Sequence, residues 1–333
     1  GMIKEVKKDR ITYGDLPNKY EAGTMATAQV IAFDQSIKFL ESIGIENIIK
    51  HFGKAEITLL GSFISVEALK NHPSVIKTYI LDKKIVSMFK TLKEIKDFDL
   101  FFSFRNSFRA KFMKLFVSSP LKFQYDKKNF NGMHQVEKYN NFVNKSLGIN
   151  FLAENLILHS ASDIKNKGNK LLGINPGASY GSSKRWYPKQ FANVAIALSK
   201  DYDIIILGGE SEEEIASDVE KYLIKEGVSN YKNLANKTSI TELINQIKGL
   251  NLFITGDSGP MHLSAAFNIP TISIFGPTNH HETSQWMNTK NIIVKKNLEC
   301  QPCMKRTCPL KHHKCMKLIE SSEVLEAVNR LIC

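Results

Sequence analysis

Residues 252–286 read LFITGDSGPMHLSAAFNIPTISIFGPTNHHETSQW. The apolar run from Leu252 to Thr255 has the make-up of a buried strand, and Gly256, Asp257, Ser258 and Gly259 follow as a tight turn. Met261 to Phe267 carries helical spacing, and Pro270 to Phe275 reads as a second strand closed by Gly276-Pro277. Strand, polar glycine turn, helix and strand make one βαβ unit. Such a turn sets free backbone N–H groups and a helix N-terminus at the carboxyl end of a parallel strand, where doubly wound sheets bind phosphates. Asp257 needs a different explanation, because a carboxylate does not help to hold a phosphate. It either caps the helix through a first-turn N–H, or binds a cation or a sugar hydroxyl. The same turn also occurs as a plain capped turn in α/β cores, and one glycine turn alone is a weak signal.

The residues upstream continue the alternation. LLGINPGAS (171–179) is strand and glycine turn, SSKRWYPKQFANVAIALSK is turn and helix, and DYDIIILGG is strand. A long acidic helix starts near Ser211, and ITELINQIKG is another helix. Two more turns therefore fall where the sheet's carboxyl edge belongs. In the first, Asn175 to Trp186, Lys184 lies among small residues and reads either as a solvated loop lysine or as a point charge for a phosphate. The second is Gly208-Gly209-Glu210, followed by Glu212, Glu213 and Glu214. A carboxylate at such a strand end often takes ribose hydroxyls, although a glutamate run also suits a solvated helix N-terminus.

The first half is less regular. KAEITLLGSF from Lys54, NHPSVIKTYIL and DFDLFFSFRNSFRAKFMKLF give strand–turn, turn–strand and strand–loop–helix, as in a Rossmann-like half. Arg105 and Arg109 follow the DLFFSF strand, as ordinary surface arginines or as partners for acceptor phosphates or carboxylates. HQVEKYNNFVNKSLGI reads as a helix, and Ser160 to Lys170 has the composition of a linker. Near the start, Ala26 to Leu40 shows a helical pattern, with Val30, Ile31, Phe33, Ile37 and Leu40 mainly on one face and Gly44 as its stop. No strong strand precedes it. Ile3 to Val6 is interrupted by charges, and Ile11 to Tyr13 is short. The expected domains are 1–165, 166–320 and a C-terminal helix over 321–333.

The chain has 333 residues, 43% hydrophobic and 23% charged, which fits two globular α/β domains. No apolar run approaches the ~20 residues of a membrane span. MIKEVKKDR lacks the apolar core of a signal peptide, and Gly1 ahead of Met2 reads as a cloning remnant. A net charge of +12 implies an anionic partner, whether nucleic acid, acidic substrate or membrane surface. The lysines are dispersed without interleaved aromatics, which argues against nucleic acid. Cys300, Cys303, Cys308 and Cys315 follow C-x2-C-x4-C-x6-C with His312 and His313 between the last two. Four thiolates could bind zinc, but with a single C-x2-C pair a reduced, cysteine-rich loop without metal is the favoured reading.

Taken together, NPGASYGSSKRW, the ILGG-E turn and TGDSGPMHLSAAFNIPTISIFGPT resemble the lipopolysaccharide heptosyltransferases of glycosyltransferase family 9. CQPCMKRTCPLKHHKCM, FSFRNSF and HQVEKY resemble the heptosyltransferase II branch, and the likeness covers about Lys54 to Arg330. The resemblance implies a GT-B fold of two Rossmann-like domains facing a cleft. It implies inverting transfer of heptose from ADP-L-glycero-D-manno-heptose to the heptosyl-Kdo-lipid A inner core, without a cofactor or metal. It places the enzyme in the cytoplasm, peripherally on the inner face of the inner membrane, with the donor in the C-terminal domain and the acceptor in the N-terminal one. By the same resemblance, Lys184 contacts the donor diphosphate. Ser258, Gly259, Pro260, Met261 and His262 form the phosphate-binding turn, Asp257 holds donor hydroxyls, Glu210 or Glu212 the ribose, and Thr238 borders the adenine. The basic excess is expected between Lys83 and Lys145, where an acceptor lipid would approach.

The front departs from the family, which begins with an apolar strand and a Leu-Gly-Asp turn whose aspartate is the general base. Here MATA at Met25 to Ala28 follows Ala22-Gly23-Thr24, with no aspartate in register. Residues 2–49 resemble instead a late segment of SufS-type cysteine desulfurases, without that family's cofactor lysine or catalytic cysteine. The chain reads as a fusion in which this piece replaces the first strand, turn and helix. Asp15, in Tyr13-Gly14-Asp15, reads first as a surface-turn aspartate, since Leu16-Pro17 follows it, and second as a stand-in for the base, with Glu21 next. Two readings follow: an active ADP-heptose transferase, or a nucleotide-sugar-binding protein impaired by the missing turn.

Overall fold

The computed structural model describes residues 3–7, 10–13, 28–34, 42–81, 94, 95, 97–159, 168–178 and 180–332. The chain divides into two compact units, Gly1–Glu154 and Asn155–Cys333. Asp15, Glu21 and most of the expected linker lie outside the described residues.

The first unit opens with an antiparallel hairpin of β1 (Ile3–Lys7) and β2 (Arg10–Tyr13). The following elements are β3 (Ala28–Asp34), α1 (Ser42–Phe52), β4 (Ala55–Gly61), α2 (Phe63–Leu69), β5 (Val75–Ile80) and β6 (Leu100–Ser103). Then come α3 (Phe108–Phe116), β7 (Leu121–Gln124) and α4 (Gln135–Leu147). The sheet is parallel in the order β5-β4-β3-β6-β7.

This corrects the expected helix over Ala26 to Leu40, because AQVIAFD is the central strand. Its register pairs Val30 with Ile57 and Leu100, and Phe33 with Leu60 and Ser103. A strand covered on both faces requires a near-continuous apolar run rather than alternation, and over a few residues such a run is compatible with either period. The two flanking strands decide between them. The open sheet position expected from the replaced front is therefore filled, and neither Ile3–Lys7 nor Arg10–Tyr13 fills it. Gly44 does not stop a helix either. It lies within α1, where a Cβ would come 2.8 Å from the Phe104 ring, so it lets α1 approach that ring. Phe102, Phe104, Tyr125, Tyr139 and Phe142 form the aromatic core beneath α4, with ring centroids 5.2–5.9 Å apart in edge contacts.

The second unit contains β8 (Leu171–Asn175), α5 (Pro188–Leu198), β9 (Asp203–Ile206), α6 (Glu213–Lys225), β10 (Tyr231–Asn233) and α7 (Ile240–Lys248). They are followed by β11 (Leu252–Gly256), α8 (Gly259–Ala266), β12 (Thr271–Phe275), α9 (His280–Thr283) and β13 (Asn291–Lys295). The short α10 (Lys314–Lys317) and α11 (Ser321–Ile332) end the chain. The parallel sheet runs β10-β9-β8-β11-β12-β13. Leu172, Ile174, Ile206, Ile254 and Ile272 are fully buried in its core. Trp186 joins them: its ring meets Phe191 edge-on at 4.9 Å and its indole N–H donates to Ile319 O at 2.9 Å. Val324, Ala327 and Val328 bury one face of α11 in the same core. Among the described residues no helix is long and apolar enough to cross a membrane.

Candidate active site

From β8 the chain steps outward through β9 and β10, then returns to lay β11 on the other side of β8. The strand order reverses at this pair, and the carboxyl ends of such strands are where open parallel sheets bind ligands.

The loop after β8 starts at Asn175, whose side chain is buried. Its amide nitrogen lies 3.3 Å from Ser258 Oγ, 3.4 Å from Gly177 O and 3.5 Å from Thr255 Oγ1. The loop then brings Lys184 over Gly256, where a Cβ would sit 3.4 Å from Lys184 O. Lys184 Nζ reaches Asp257 Oδ2 at 2.5 Å, with the two side chains 12% and 5% exposed. It also lies 3.3 Å from Asp257 O, and 4.5 Å over the Tyr180 ring. Thr278, just past β12, donates its hydroxyl to the same Asp257 Oδ2 at 2.7 Å.

Asp257 therefore does not cap α8. Ser258 is the N-cap residue and makes no side-chain capping bond; its hydroxyl is 3.1 Å from Thr255 Oγ1 instead. The carboxylate anchors the Lys184 ammonium beside the first turn of α8. An ammonium has three N–H donors. Two point at Asp257; beyond it the first turn of α8 offers the backbone N–H groups of Gly259 and Met261. Pro260 supplies none, because it has no N–H. Gly259 and Pro260 are half-buried, while Met261 and His262 are buried within α8.

The two glutamates divide. Glu212 is turned inward: its Oε2 accepts from Gly209 N–H at 3.0 Å, and a Cβ at Gly177 would lie 2.3 Å from its carboxyl carbon. It braces the β8 and β9 loops against each other. Glu210 is exposed on the same loop. Thr238 is half-buried directly before Ser239, the N-cap of α7. Asn175 and Thr278 were not singled out from sequence, although Asn175 ends the apolar strand β8 and Thr278 follows the Gly276-Pro277 turn after β12.

Arg105 and Arg109 belong to the first unit and are half-buried. Arg105 follows β6, and its carbonyl accepts from Ser103 Oγ at 3.0 Å and from the Gln124 side chain. Arg109 lies in the first turn of α3.

The cysteines gather elsewhere in the second unit. Cys300, Cys303, Cys308 and Cys315 are free thiols lining one small cleft with His312 and His313. Burial pushes the Cys315 thiol up to about 11, and the neighbouring Cys303, Cys300 and Cys308 add to the shift.

Residues 85–314 match glycosyltransferase family 9 (heptosyltransferase), and residues 1–80 match aminotransferase class-V. The lipooligosaccharide heptosyltransferase 2 of Campylobacter jejuni is 39% identical over 302 residues, spanning 88% of this chain and 94% of that relative. The chain belongs to glycosyltransferase family 9. As a family 9 member it is a glycosyltransferase. Its fold matches that of E. coli ADP-heptose lipopolysaccharide heptosyltransferase II, with a TM-score of 0.75 at 19% identity over 91% of this chain and 98% of that one. The E. coli heptosyltransferase WaaC solved with ADP gives 0.72 at 13% identity over 90% and 99%. Both are GT-B glycosyltransferases, so this family 9 chain is an α/β protein of that type. The desulfurase-like piece at its front falls within the class-V match, which supplies β3, β4 and β5 of the first sheet.

Proposed function

We propose that this glycosyltransferase transfers heptose, with inversion, from ADP-L-glycero-D-manno-heptose to the heptosyl-Kdo-lipid A inner core. The observation that carries the reading is the Lys184–Asp257 pair at the crossover of the second sheet, in a chain 39% identical to a lipooligosaccharide heptosyltransferase 2. Lys184 and the first turn of α8, from Ser258 through His262, hold the diphosphate and neutralise it as it departs. No metal or other cofactor is needed for that charge. Asp257 positions Lys184 and lies beside the donor hydroxyls. Glu210 takes the ribose, since Glu212 is committed to Gly209, and Thr238 borders the adenine.

Inverting transfer also needs a base for the acceptor hydroxyl. Asp34 is the last residue of β3, in register with Gly61. It stands at the carboxyl end of the strand beside which the first sheet's order reverses, so it replaces Asp15 as the proposed base. Arg105, past β6 at the same reversal, and Arg109 meet acceptor phosphates. β3 fills the sheet position that the replaced front would leave open, which favours transfer over the impaired-binder reading. Exposed Phe108, Lys111 and Leu115 on α3 suit a peripheral position at the anionic cytoplasmic face of the inner membrane.

Radiolabelled ADP-heptose and a mono-heptosylated lipid A acceptor test the reading, beside an ADP titration. Label transfer with ADP binding is the expected result. Binding without transfer would overturn the catalytic part, and neither would overturn the whole.

A further inference from the structure

The carboxyl ends of β12 and β13 stand side by side, with Phe275 in register with Lys295. Past them lies a cleft of about 370 Å³, within the roughly 300–1,000 Å³ of small-molecule sites. Its titratable lining is His280, His281, Lys295 and Lys296, and no carboxylate is among the lining residues. The His280 and His281 rings are 4.0 Å apart, and His280 also meets the buried Phe275 ring edge-on at 6.2 Å. Positive groups this close disfavour one another: burial, His281 and Lys295 together hold His280 below the usual histidine range.

The neutral amides of the cleft are committed to its frame. Gln301 donates to Gly276 O at 2.6 Å and accepts the Leu298 N–H at 3.1 Å, while Asn279 accepts the His281 N–H at 3.2 Å. Lys296 is met by Glu323 of α11 at 2.6 Å. Lys295 donates to a neutral oxygen, Asn297 Oδ1 at 2.7 Å, a contact that leaves its charge uncancelled. The lining thus presents a positive field for an anion to complete. Thr278 joins the cleft to the donor side, because it lines the cleft and donates its hydroxyl to Asp257.

We propose that this cleft takes the carboxylate of the acceptor's Kdo residue, with Lys295 and His281 as the recognising groups. The inference rests on the heptose-transfer reading above. In that reaction the diphosphate already has Lys184 and the first turn of α8, so a second set of basic residues beside Thr278 calls for a second anion. The acceptor carries one: Kdo is a sugar acid joined directly to the heptose that is extended, whereas the lipid A phosphates lie beyond it. A carboxylate accepts from more than one donor at once, which suits a lysine and a histidine lining one cleft.

Titration of the methyl glycoside of Kdo into the full chain with ADP, beside transfer kinetics on the mono-heptosylated acceptor, tests this. The glycoside should bind and its carboxyl-reduced form should not. Lys295→Ala and His281→Gln should each raise the acceptor KM roughly three- to tenfold, with kcat and the ADP dissociation constant unchanged. Both side chains are exposed, so neither substitution disturbs the core, and Lys295→Arg should restore most of the loss. Equal binding of the glycoside and its reduced form, inorganic phosphate binding as tightly as the glycoside, or an unchanged acceptor KM in both variants would overturn the proposal and leave heptose transfer standing. Glycoside binding that needs Lys295 in a wild-type chain that transfers nothing would uphold the carboxylate site and overturn the transfer reading instead.

Discussion

The two parallel sheets share a plan and differ in what stands at its reversal. In each, the chain moves outward from a central strand, β3 or β8, and returns to the other side with β6 or β11. At the second reversal Lys184, Asp257 and Thr278 form a connected set of partners from three loops, with the lysine and the aspartate almost dry. At the first stand Asp34, ending β3, and Arg105, half-buried past β6. Topology thus fixes where a site is built, while the residues just past the strand ends set its chemistry. On the proposed reading, one edge holds an anion and the other handles a proton.

That division can be broken most strongly at Asp34. Asp34→Asn should lower kcat by roughly 10²–10⁴-fold, the usual contribution of a general base, and leave the ADP dissociation constant unchanged. Asp15→Asn should alter neither. Loss of activity in Asp15→Asn alone would return the base to the front of the chain. The next effect sharpens the contrast between the two glutamates. Glu212→Ala strands the Gly209 N–H and should cost about 1–3 kcal/mol in denaturant unfolding. Glu210→Ala should leave stability intact and weaken ADP binding only a few-fold; equal stability losses would erase the distinction.

A smaller effect belongs to the membrane-facing role assigned to the first unit. Binding to anionic vesicles should fall as salt rises, since screening acts over about 10 Å at 0.1 M, and fall further in Leu115→Ser. Salt-independent binding, or none at low salt, would detach the first unit from a lipid surface. The smallest is a pH effect in the second unit. Burial, His281 and Lys295 hold His280 below the usual histidine range. As pH falls, the unfolded chain protonates this residue before the folded one does, so stability is present above the ordinary histidine pKa and declines below it. His280→Gln should flatten that decline between about pH 7 and 5; an unchanged slope would assign it to other groups.

How legible the sequence was differs between the same two regions. Four strands of the second sheet were readable because each is a compact apolar run closed by a glycine turn, as in LLGINPG, IIILGG and LFITGD; β10 (YKN) and β13 (NIIVK) lack such a turn and were not read. Lys184 and Asp257 were visible as residues in those turns. Their mutual pairing was not, because they are separated by 73 positions and only the adjacency of β8 and β11 joins them. Glu212 pointed either way until Gly177 showed the space that its side chain fills. In the first sheet, AQVIAFD carries too few residues to separate a strand from a helix. What decides it is the register with β4 and β6, which no local pattern contains. The four cysteines were legible as a spacing, but the attachment of their loop to the Lys184 loop runs through backbone groups such as Arg306 O, which accepts the Ser183 N–H.

The central claim is that the reversal point of the second sheet holds the donor diphosphate through Lys184. Calorimetric titration of ADP into the full chain in the presence of a chelator of divalent cations, beside Lys184→Ala, tests it most directly. The wild-type chain should bind ADP under these conditions, and the variant should bind it roughly tenfold or more weakly, as expected for losing a charge-assisted contact. Equal dissociation constants for the two proteins would contradict it.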